Sequence, residues 1–379
     1  MDFGLNEDQE TLAKYARDFL TNECPTSFVR SMMDGETAHD AEFYAHMAAL
    51  GWMGIAIPES YGGQGMTYVD LAVLLEEMGR AVLPGPYFAT VCLAAPVVLD
   101  AGNEDQRKAF LTPIASGERK AALAYTEPNA RVDASGIELS ASSEDSGFSL
   151  SGTKRFVLDA HVADTLIVAA RTSQGAEPTD GITLFAIDAT THGISVSQLK
   201  AMDSTRRLCE VAFDGVRVSA DAVLGEVGKG WAPLERALQR SAALLSAECV
   251  GGANQVLDMS VEYARNRIQF GRPIGSFQAV KHKCADMLVD VELARSAMYY
   301  AAWAASDEES ELALASSMAK SFCSEAYLRV AGQGILVHGG IGFTWEHDMH
   351  LFFKRAKANE VLLGDPSYHR DLVARLVPA

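Results

Sequence analysis

The stretch Tyr263-Ala-Arg265-Asn-Arg267-Ile-Gln269-Phe270-Gly271-Arg272-Pro273-Ile274-Gly-Ser-Phe277-Gln278 gathers an arginine, aromatics and a long amide around one chain reversal. An arginine fork can grip a diphosphate through two parallel hydrogen bonds, so Arg267 is a candidate anion ligand. Taken alone, it reads more readily as an exposed side chain on a helical hairpin. Gly271 permits the sharp reversal, and Pro273 suits the start of a following helix. His347 and His350 have metal-like i, i+3 spacing with Asp348 beside them, but no third ligand is evident. The loop Pro58-Glu-Ser-Tyr61-Gly62-Gly63-Gln-Gly65 is glycine-rich; with no strand leading into a GxGxxG pattern, it reads as a turn and not a phosphate cradle.

The sixteen-residue run closely resembles the YARxRxxFGxPIxxFQ segment of the acyl-CoA dehydrogenase family, flavoproteins that desaturate acyl-CoA thioesters. Three further blocks agree in order and spacing. Ala124-Tyr125-Thr126-Glu127-Pro128-Asn129-Ala130-Arg131-Val132-Asp133 is similar to the family's TEPxAGSD loop. Gly152-Thr153-Lys154-Arg155-Phe156-Val157 is similar to its GxKxW(I/V) strand. Val337-His338-Gly339-Gly340-Ile341-Gly342-Phe343-Thr344 is similar to its HGGxGFT turn.

The resemblance implies an FAD enzyme. The cofactor performs the hydride chemistry, and the protein orients the substrate and supplies a carboxylate base. It also implies a flavin lying across a dimer interface, its ring covered by one subunit and its diphosphate and adenosine held by the neighbour's bundle. On that mapping Arg267 grips the diphosphate, Gln269 and Phe270 line the adenosine side, and Gly339 and Gly340 form a close-approach turn. Leu336 stands where the family commonly has Gln, so one phosphate contact is lost. On the ring side Thr126 and Phe156 match, Phe156 replacing the usual Trp. The usual Gly-Ser pair is Arg131-Val132, and Leu158 replaces a hydroxyl residue. His338 is expected to make a structural hydrogen bond, and the resemblance sets metal binding aside.

The base is the largest departure. The commonest family glutamate position holds Gly364, and a second position, 26 residues before Arg267, holds Ser241. Asp365, next to the usual position, is a weak catalytic candidate; as a solvated aspartate at a helix end it has a bland alternative. Glu360 lies a turn earlier and faces elsewhere. Glu248, two turns after Ser241 in small, apolar sequence surroundings, is read as a buried structural partner.

Three readings follow. In the first, the chain is a self-sufficient homo-oligomeric dehydrogenase with a displaced base such as Asp365. In the second, it is the flavin-contacting partner subunit of a heteromeric enzyme, as in bacterial members that handle steroid side chains and other bulky acyl groups. The deviations at 131, 132, 158, 241 and 364 beside a retained Arg267 favour the second. A third reading, an acyl-CoA-binding protein without flavin, leaves the arginine motif unexplained. The resemblance further implies a tetramer formed through the bundles and an electron-transfer flavoprotein as acceptor.

Composition agrees with a globular protein: 379 residues, 48% hydrophobic and 22% charged. A net charge of −18 argues against a nucleic-acid binder, which would show a basic face. The six cysteines are scattered without a CxxC pair, which supports neither a metal site nor a disulfide framework and fits a reducing cytoplasm. The N-terminus lacks a signal-peptide pattern, and no apolar run reaches the roughly 18 residues of a membrane span.

The elements that must position these residues fall into three blocks: a helical domain over 1–120, a barrel-like antiparallel β-domain over 121–225 and a four-helix bundle over 226–379. Asn6 with Gln9 and Thr67 with Asp70 signal helix starts. An apolar stripe runs through Leu12, Tyr15, Ala16, Phe19 and Leu20. Short apolar runs at 121–126, 148–152, 166–170, 182–187, 194–199 and 211–218 alternate with turn signals at Asp145-Ser-Gly147, Asp180-Gly181 and Asp214-Gly215. The bundle is expected over 234–268, 277–305, 312–337 and 348–376, with Gly251-Gly252-Ala253 permitting close helix contact.

Overall fold

The computed structural model describes residues 4–307 and 309–377. Helices α1 (Glu7–Glu23), α2 (Thr26–Asp34), α3 (Ala41–Ala49), α4 (Tyr68–Arg80), α5 (Ala95–Ala101) and α6 (Glu104–Ala115) come first. Strands β1 (Ala121–Ala124), β2 (Ser140–Glu144), β3 (Gly147–Leu158), β4 (Thr165–Arg171), β5 (Ile182–Asp188), β6 (Ile194–Gln198), β7 (Leu208–Ser219) and β8 (Val223–Leu224) follow. Then come α7 (Trp231–Asn266), the paired strands β9 (Ile268–Gln269) and β10 (Arg272–Pro273), α8 (Gln278–Asp307), α9 (Glu309–His338), α10 (Met349–Val361) and α11 (Pro366–Leu376). The order is helical, then β, then helical, as the sequence predicts. Two compact units result: one built on α1, α4 and the helices after residue 238, the other on α3, α5, α6 and β1 to β8.

Local capping chemistry starts the helices. Asn6 and Gln9 exchange side-chain-to-backbone hydrogen bonds of 2.9 and 3.1 Å, and Thr67 and Asp70 form the equivalent reciprocal cap on α4. The buried stripe on α1 is narrower than its apolar pattern: Ala16 and Leu20 are buried, but Tyr15 is 69% exposed.

In the helical unit α4 crosses α7 backbone to backbone. A Cβ on Gly251 would lie 1.8 Å from the Glu76 carbonyl oxygen, and one on Gly79 would lie 2.2 Å from that of Glu248. Only glycine fits at these two points. Charged groups on α4 are paired: Glu77 accepts from Arg17 at 2.6 Å, and Glu76 binds Arg295 of α8. The segment expected as one last helix is two. Leu363 and Gly364 take left-handed φ of 63° and 102°, Asp365 caps a new helix and Pro366 occupies its first position. Pro273 likewise does not open α8. It pairs with Ile268 in the β9–β10 hairpin, and α8 begins five residues later.

In the other unit the strand order is β6-β7-β3-β2-β4-β5-β8, with β1 added on β4. Pairing between the strands is antiparallel except for β1 on β4 and a single bridge from β2 to β4, and an isolated parallel bridge joins Ile182 to Lys229. Asp145 and Ser146 form the two-residue turn from β2 to β3. Asp214-Gly215, expected as a turn, instead lies inside β7. The β3–β7 ladder slips between Leu150 and Gly152, and Gly215 has φ 58°, a glycine bulge in a continuous strand. The core of this unit includes Leu150, Leu166, Val168, Phe185, Val211 and Val216.

Candidate functional site

At one end of the helical unit the β9–β10 hairpin turns through Phe270 and Gly271, with φ 53° and 76°. Positive φ at both central residues marks a type I′ turn, for which phenylalanine is a poor choice. Phe270 is nonetheless 92% exposed, its ring set edge-on to Phe277 at 6.1 Å. Phe270 thus combines backbone strain with an exposed aromatic ring. Arg267, exposed, makes no side-chain hydrogen bond or ion pair with any other described residue. Its backbone is fixed by Tyr263 and Ile274 at 2.8 Å each. Gln269 is exposed, and its side-chain amide donates to its neighbour's carbonyl, Ile268 O, at 2.8 Å.

Gly339 and Gly340 follow α9. Gly339 needs glycine for its φ of 66°; Gly340 does not, and a Cβ there would meet nothing within 4 Å. The fold of this chain therefore gives no internal reason for the second glycine. Tyr263 of α7 stacks on His338 at 4.4 Å, which brings the Arg267 and Gly339-Gly340 corners to the same end. His338 Nδ1 lies 2.7 Å from Gly334 O, the structural bond expected of it, and burial holds its pKa below the usual imidazole value. Leu336 is 60% exposed. The metal-like trio is otherwise engaged: Asp348 pairs with Arg30 at 2.6 Å, His347 Nδ1 accepts from Met349 N, and His350 packs on Trp345. Among the described residues no group of three His, Cys, Asp or Glu could hold a metal.

In the β unit Thr126 is tied to Arg155, the residue before Phe156. Thr126 Oγ1 donates to Arg155 O at 2.5 Å, and Arg155 N returns a bond to Thr126 O at 2.9 Å. Phe156 sits in a second slip of the β3–β7 ladder with φ 61° and is 41% exposed. It too is a strained aromatic turned outward. Two residues earlier on β3 begins a pair that the sequence reading passed over. Lys154, fully buried, donates to Glu127 at 2.6 Å and to Tyr125 O at 3.1 Å, and Glu127 accepts from the backbones of Glu138 and Leu139. Burial pulls the Lys154 ammonium down to about 8 against the opposing attraction of Glu127. The signal was available: both residues belong to the quoted blocks. Arg131 is exposed, Val132 half-buried, and Leu158 is buried opposite Leu208.

None of the candidate carboxylates stands free as a base. Asp365 is exposed, and its Oδ1 accepts from Tyr368 N at 2.8 Å as the cap of α11. Glu360 pairs with Lys357. Glu248 is a buried structural partner, but not in apolar surroundings: Oε1 accepts from Arg355 at 3.0 Å and Asn359 at 2.9 Å. Ser241 is buried on α7.

Comparisons with known proteins decide the family. Three profiles match in succession: acyl-CoA dehydrogenase N-terminal domain over 6–118, middle domain over 122–216 and C-terminal domain over 228–377. The chain is 32% identical over 379 residues to the "Probable acyl-CoA dehydrogenase YngJ" of Bacillus subtilis (strain 168), covering 99% of each. The chain belongs to the acyl-CoA dehydrogenase family. Among solved structures it is similar to butyryl-CoA dehydrogenase from Megasphaera elsdenii, with TM-score 0.91, 29% identity and 99% of each chain covered. It is also similar to a chain of the ChsE4-ChsE5 complex from Mycobacterium tuberculosis, with TM-score 0.90, 28% identity and 100% of each covered.

Acyl-CoA dehydrogenases are FAD-dependent oxidoreductases acting on acyl-CoA. The residues present fit the cofactor. An arginine with no side-chain partner among the described residues, a strained exposed aromatic and a glycine that this fold does not itself require suit a diphosphate and a flat adenine ring. No helix among the described residues is long and apolar enough to cross a membrane.

Proposed function

We propose that this chain is the flavin-contacting partner subunit of a heteromeric acyl-CoA dehydrogenase, which desaturates an acyl-CoA thioester between its α and β carbons. One observation carries the reading. Arg267, Phe270 and the Gly339-Gly340 turn stand open, while neither Leu363 nor Gly364 carries a carboxylate and the adjoining Asp365 serves as a helix cap. FAD, when bound, accepts the hydride leaving the β-carbon. Arg267 grips the diphosphate, Gln269 and Phe270 flank the adenosine, and Gly339 and Gly340 let the backbone approach. The ring of the flavin that Arg267 holds is covered by the companion chain, and Thr126 and Phe156 belong to this chain's own ring-side positions. The α-proton goes to a carboxylate of the companion chain, and the acceptor in this reading is an electron-transfer flavoprotein.

The assembly is a tetramer joined through the bundles. Leu288, Val289 and Leu293 on α8 are each about half exposed, and Leu288 borders a groove of about 650 Å³ between α7 and α8. An apolar helix face of this kind suits a subunit contact. Likeness to a chain from a solved complex of two differently named subunits supports a heteromer. Asp365 as a displaced base, the alternative, lacks a comparable observation, since its carboxylate already caps α11.

The test is the flavin stoichiometry and acyl-CoA turnover of the purified chain, alone and with its companion subunit. The reading expects weak flavin retention and no turnover alone, with both appearing in the complex. Turnover by the flavin-saturated chain alone would overturn it.

A further inference from the structure

The chain carries a net charge of −18, yet one stretch of it holds no carboxylate. Residues 263–285 include five lysines and arginines, Arg265, Arg267, Arg272, Lys281 and Lys283, with His282 among them and no aspartate or glutamate. None of the five makes an ion pair with another described residue. Elsewhere in the same unit Arg17, Arg80, Arg295, Arg329 and Arg370 are all paired with carboxylates. Two of the five have internal contacts. The Arg272 guanidinium lies 4.2 Å over the Phe277 ring, and Lys283 Nζ donates to Gln333 at 2.7 Å. Arg265 and Lys281 are exposed, and their side chains bond nothing among the described residues.

The reversal between α7 and α8 gathers these cations. Phe277 carries Arg272 over its ring and Phe270 edge-on, and its carbonyl accepts from Lys281 N at 3.0 Å. Arg265 lines the α7–α8 groove together with Ala285 and Leu288. Lys281, Ala285 and Leu288 fall on one face of α8 by their spacing, and all three are exposed. The basic end therefore runs on into the apolar stripe of Leu288, Val289 and Leu293, and it has exposed apolar groups of its own in Ile268 and Phe270. An apolar centre with a charged rim is the anatomy of a protein interface. One flavin diphosphate answers Arg267 and leaves the other cations without counter-charge. Facing them with like charge would be costly, and an acidic face compensates them. Nucleic acid and anionic lipid suit the patch less well, because both would also meet the chain's surplus of carboxylates.

We infer that the patch around Arg265 and Lys281 docks an acidic face of the companion subunit beside the shared flavin. The patch speeds the encounter of the two chains and helps to set which chain is accepted. The inference rests on the partner-subunit reading. Arg267 lies inside the patch, so the subunit that covers the ring of its flavin also faces Arg265 and Lys281.

The test is the rate and affinity with which the full chain, with FAD present, assembles with the companion subunit that co-purifies with it. Wild type is compared with Arg265→Glu/Lys281→Glu and with the charge-preserving Arg265→Lys/Lys281→Arg. Wild-type association is expected to slow roughly 10-fold between about 20 and 300 mM NaCl. Charge reversal should slow it by about as much in low salt and flatten the salt dependence. The charge-preserving pair should behave as wild type. The inference is overturned if association ignores salt or if charge reversal leaves it unchanged. It is also overturned if reversal weakens only self-association of the chain, or only its binding to duplex DNA or phosphatidylserine vesicles. Should the reversed variant lose its thermal transition, Arg265→Gln/Lys281→Gln decides by the same criteria with a smaller effect. A complex that forms and turns over while ignoring salt and charge leaves the partner-subunit reading intact. Turnover by the flavin-saturated wild-type chain alone sinks that reading and removes the companion as occupant.

Discussion

Tyr263 and His338 stack at 4.4 Å with their rings 29° apart, joining the end of α7 to the end of α9. Arg267 lies one helical turn beyond the tyrosine, and Gly339 follows the histidine directly. The anion-gripping corner and the small-residue corner are thus fixed relative to each other by aromatic contact, with no charge spent on the task.

Replacing Arg267 with Ala is expected to strip FAD from the assembled oligomer. A charge-assisted contact buried at an interface is worth on the order of 2–5 kcal/mol. Flavin absorbance after dialysis reports the loss. Occupancy equal to wild type would remove Arg267 from the site.

Phe270→Asn separates stability from binding. Asn-Gly is a favoured type I′ pair, so relief of the φ of 53° should stabilise the flavin-free protein by about 0.5–1 kcal/mol. The same change removes a stacking face worth roughly 1–3 kcal/mol to a base, so flavin should dissociate faster. Denaturant midpoints and flavin release kinetics together read both effects, and a variant that loses stability contradicts the strain argument.

At Asp365 the two roles predict different patterns. As a cap, Asp365→Asn should be nearly neutral and Asp365→Ala should cost about 1 kcal/mol, with turnover of the complex unchanged in both. A base would lose roughly 10²–10⁴-fold in rate on the Asn change while flavin stays bound. Steady-state rates with an artificial acceptor distinguish the outcomes.

His369 should make stability fall with acid. Its folded pKa of about 4 lies below the usual 6.5, so the unfolded chain binds more protons between these values. Its contribution is complete above pH 6.5 and is lost as pH falls toward 4, amounting to about 2 kcal/mol by pH 5. Thermal melts at pH 7.5 and 5 should show wild type losing more than His369→Gln. Parallel losses would show that the imidazole is not held neutral.

Arg355→Met should destabilise by about 3–5 kcal/mol, because it takes the guanidinium away from the Glu248 carboxylate, 1% exposed, to which Asn359 also donates. Chemical denaturation measures it. A loss under 1 kcal/mol would mean that water or relaxation solvates Glu248.

What the sequence disclosed was mostly local. The Asn6–Gln9 and Thr67–Asp70 caps span three residues and were readable as patterns, as were the β2–β3 turn and the Arg267 reversal. Misreadings arose where a distant partner decides. An Asp-Gly pair looks the same in a hairpin and in a bulge, and only pairing with β3 distinguishes them at Gly215. Glu248 sits among small residues in sequence, yet Arg355 reaches it from 107 positions away. The buried Lys320 gave no signal because its Nζ donates to the carbonyls of Glu360 and Gly364, and every residue possesses a carbonyl. The split of the last helix was announced by Gly364-Asp365-Pro366 and was still missed, because apolar periodicity continues across it.

The contrast between β3 and those caps also bears on the order of events during folding. Leu150 meets Val216, 66 positions further along the chain, so the central strand pair closes a large loop before any bond rewards it. The capped helices nucleate within a few residues. Refolding should therefore show early helix formation and a slower phase in which the sheet acquires its register, and that late phase is when unpaired strand edges are exposed to aggregation.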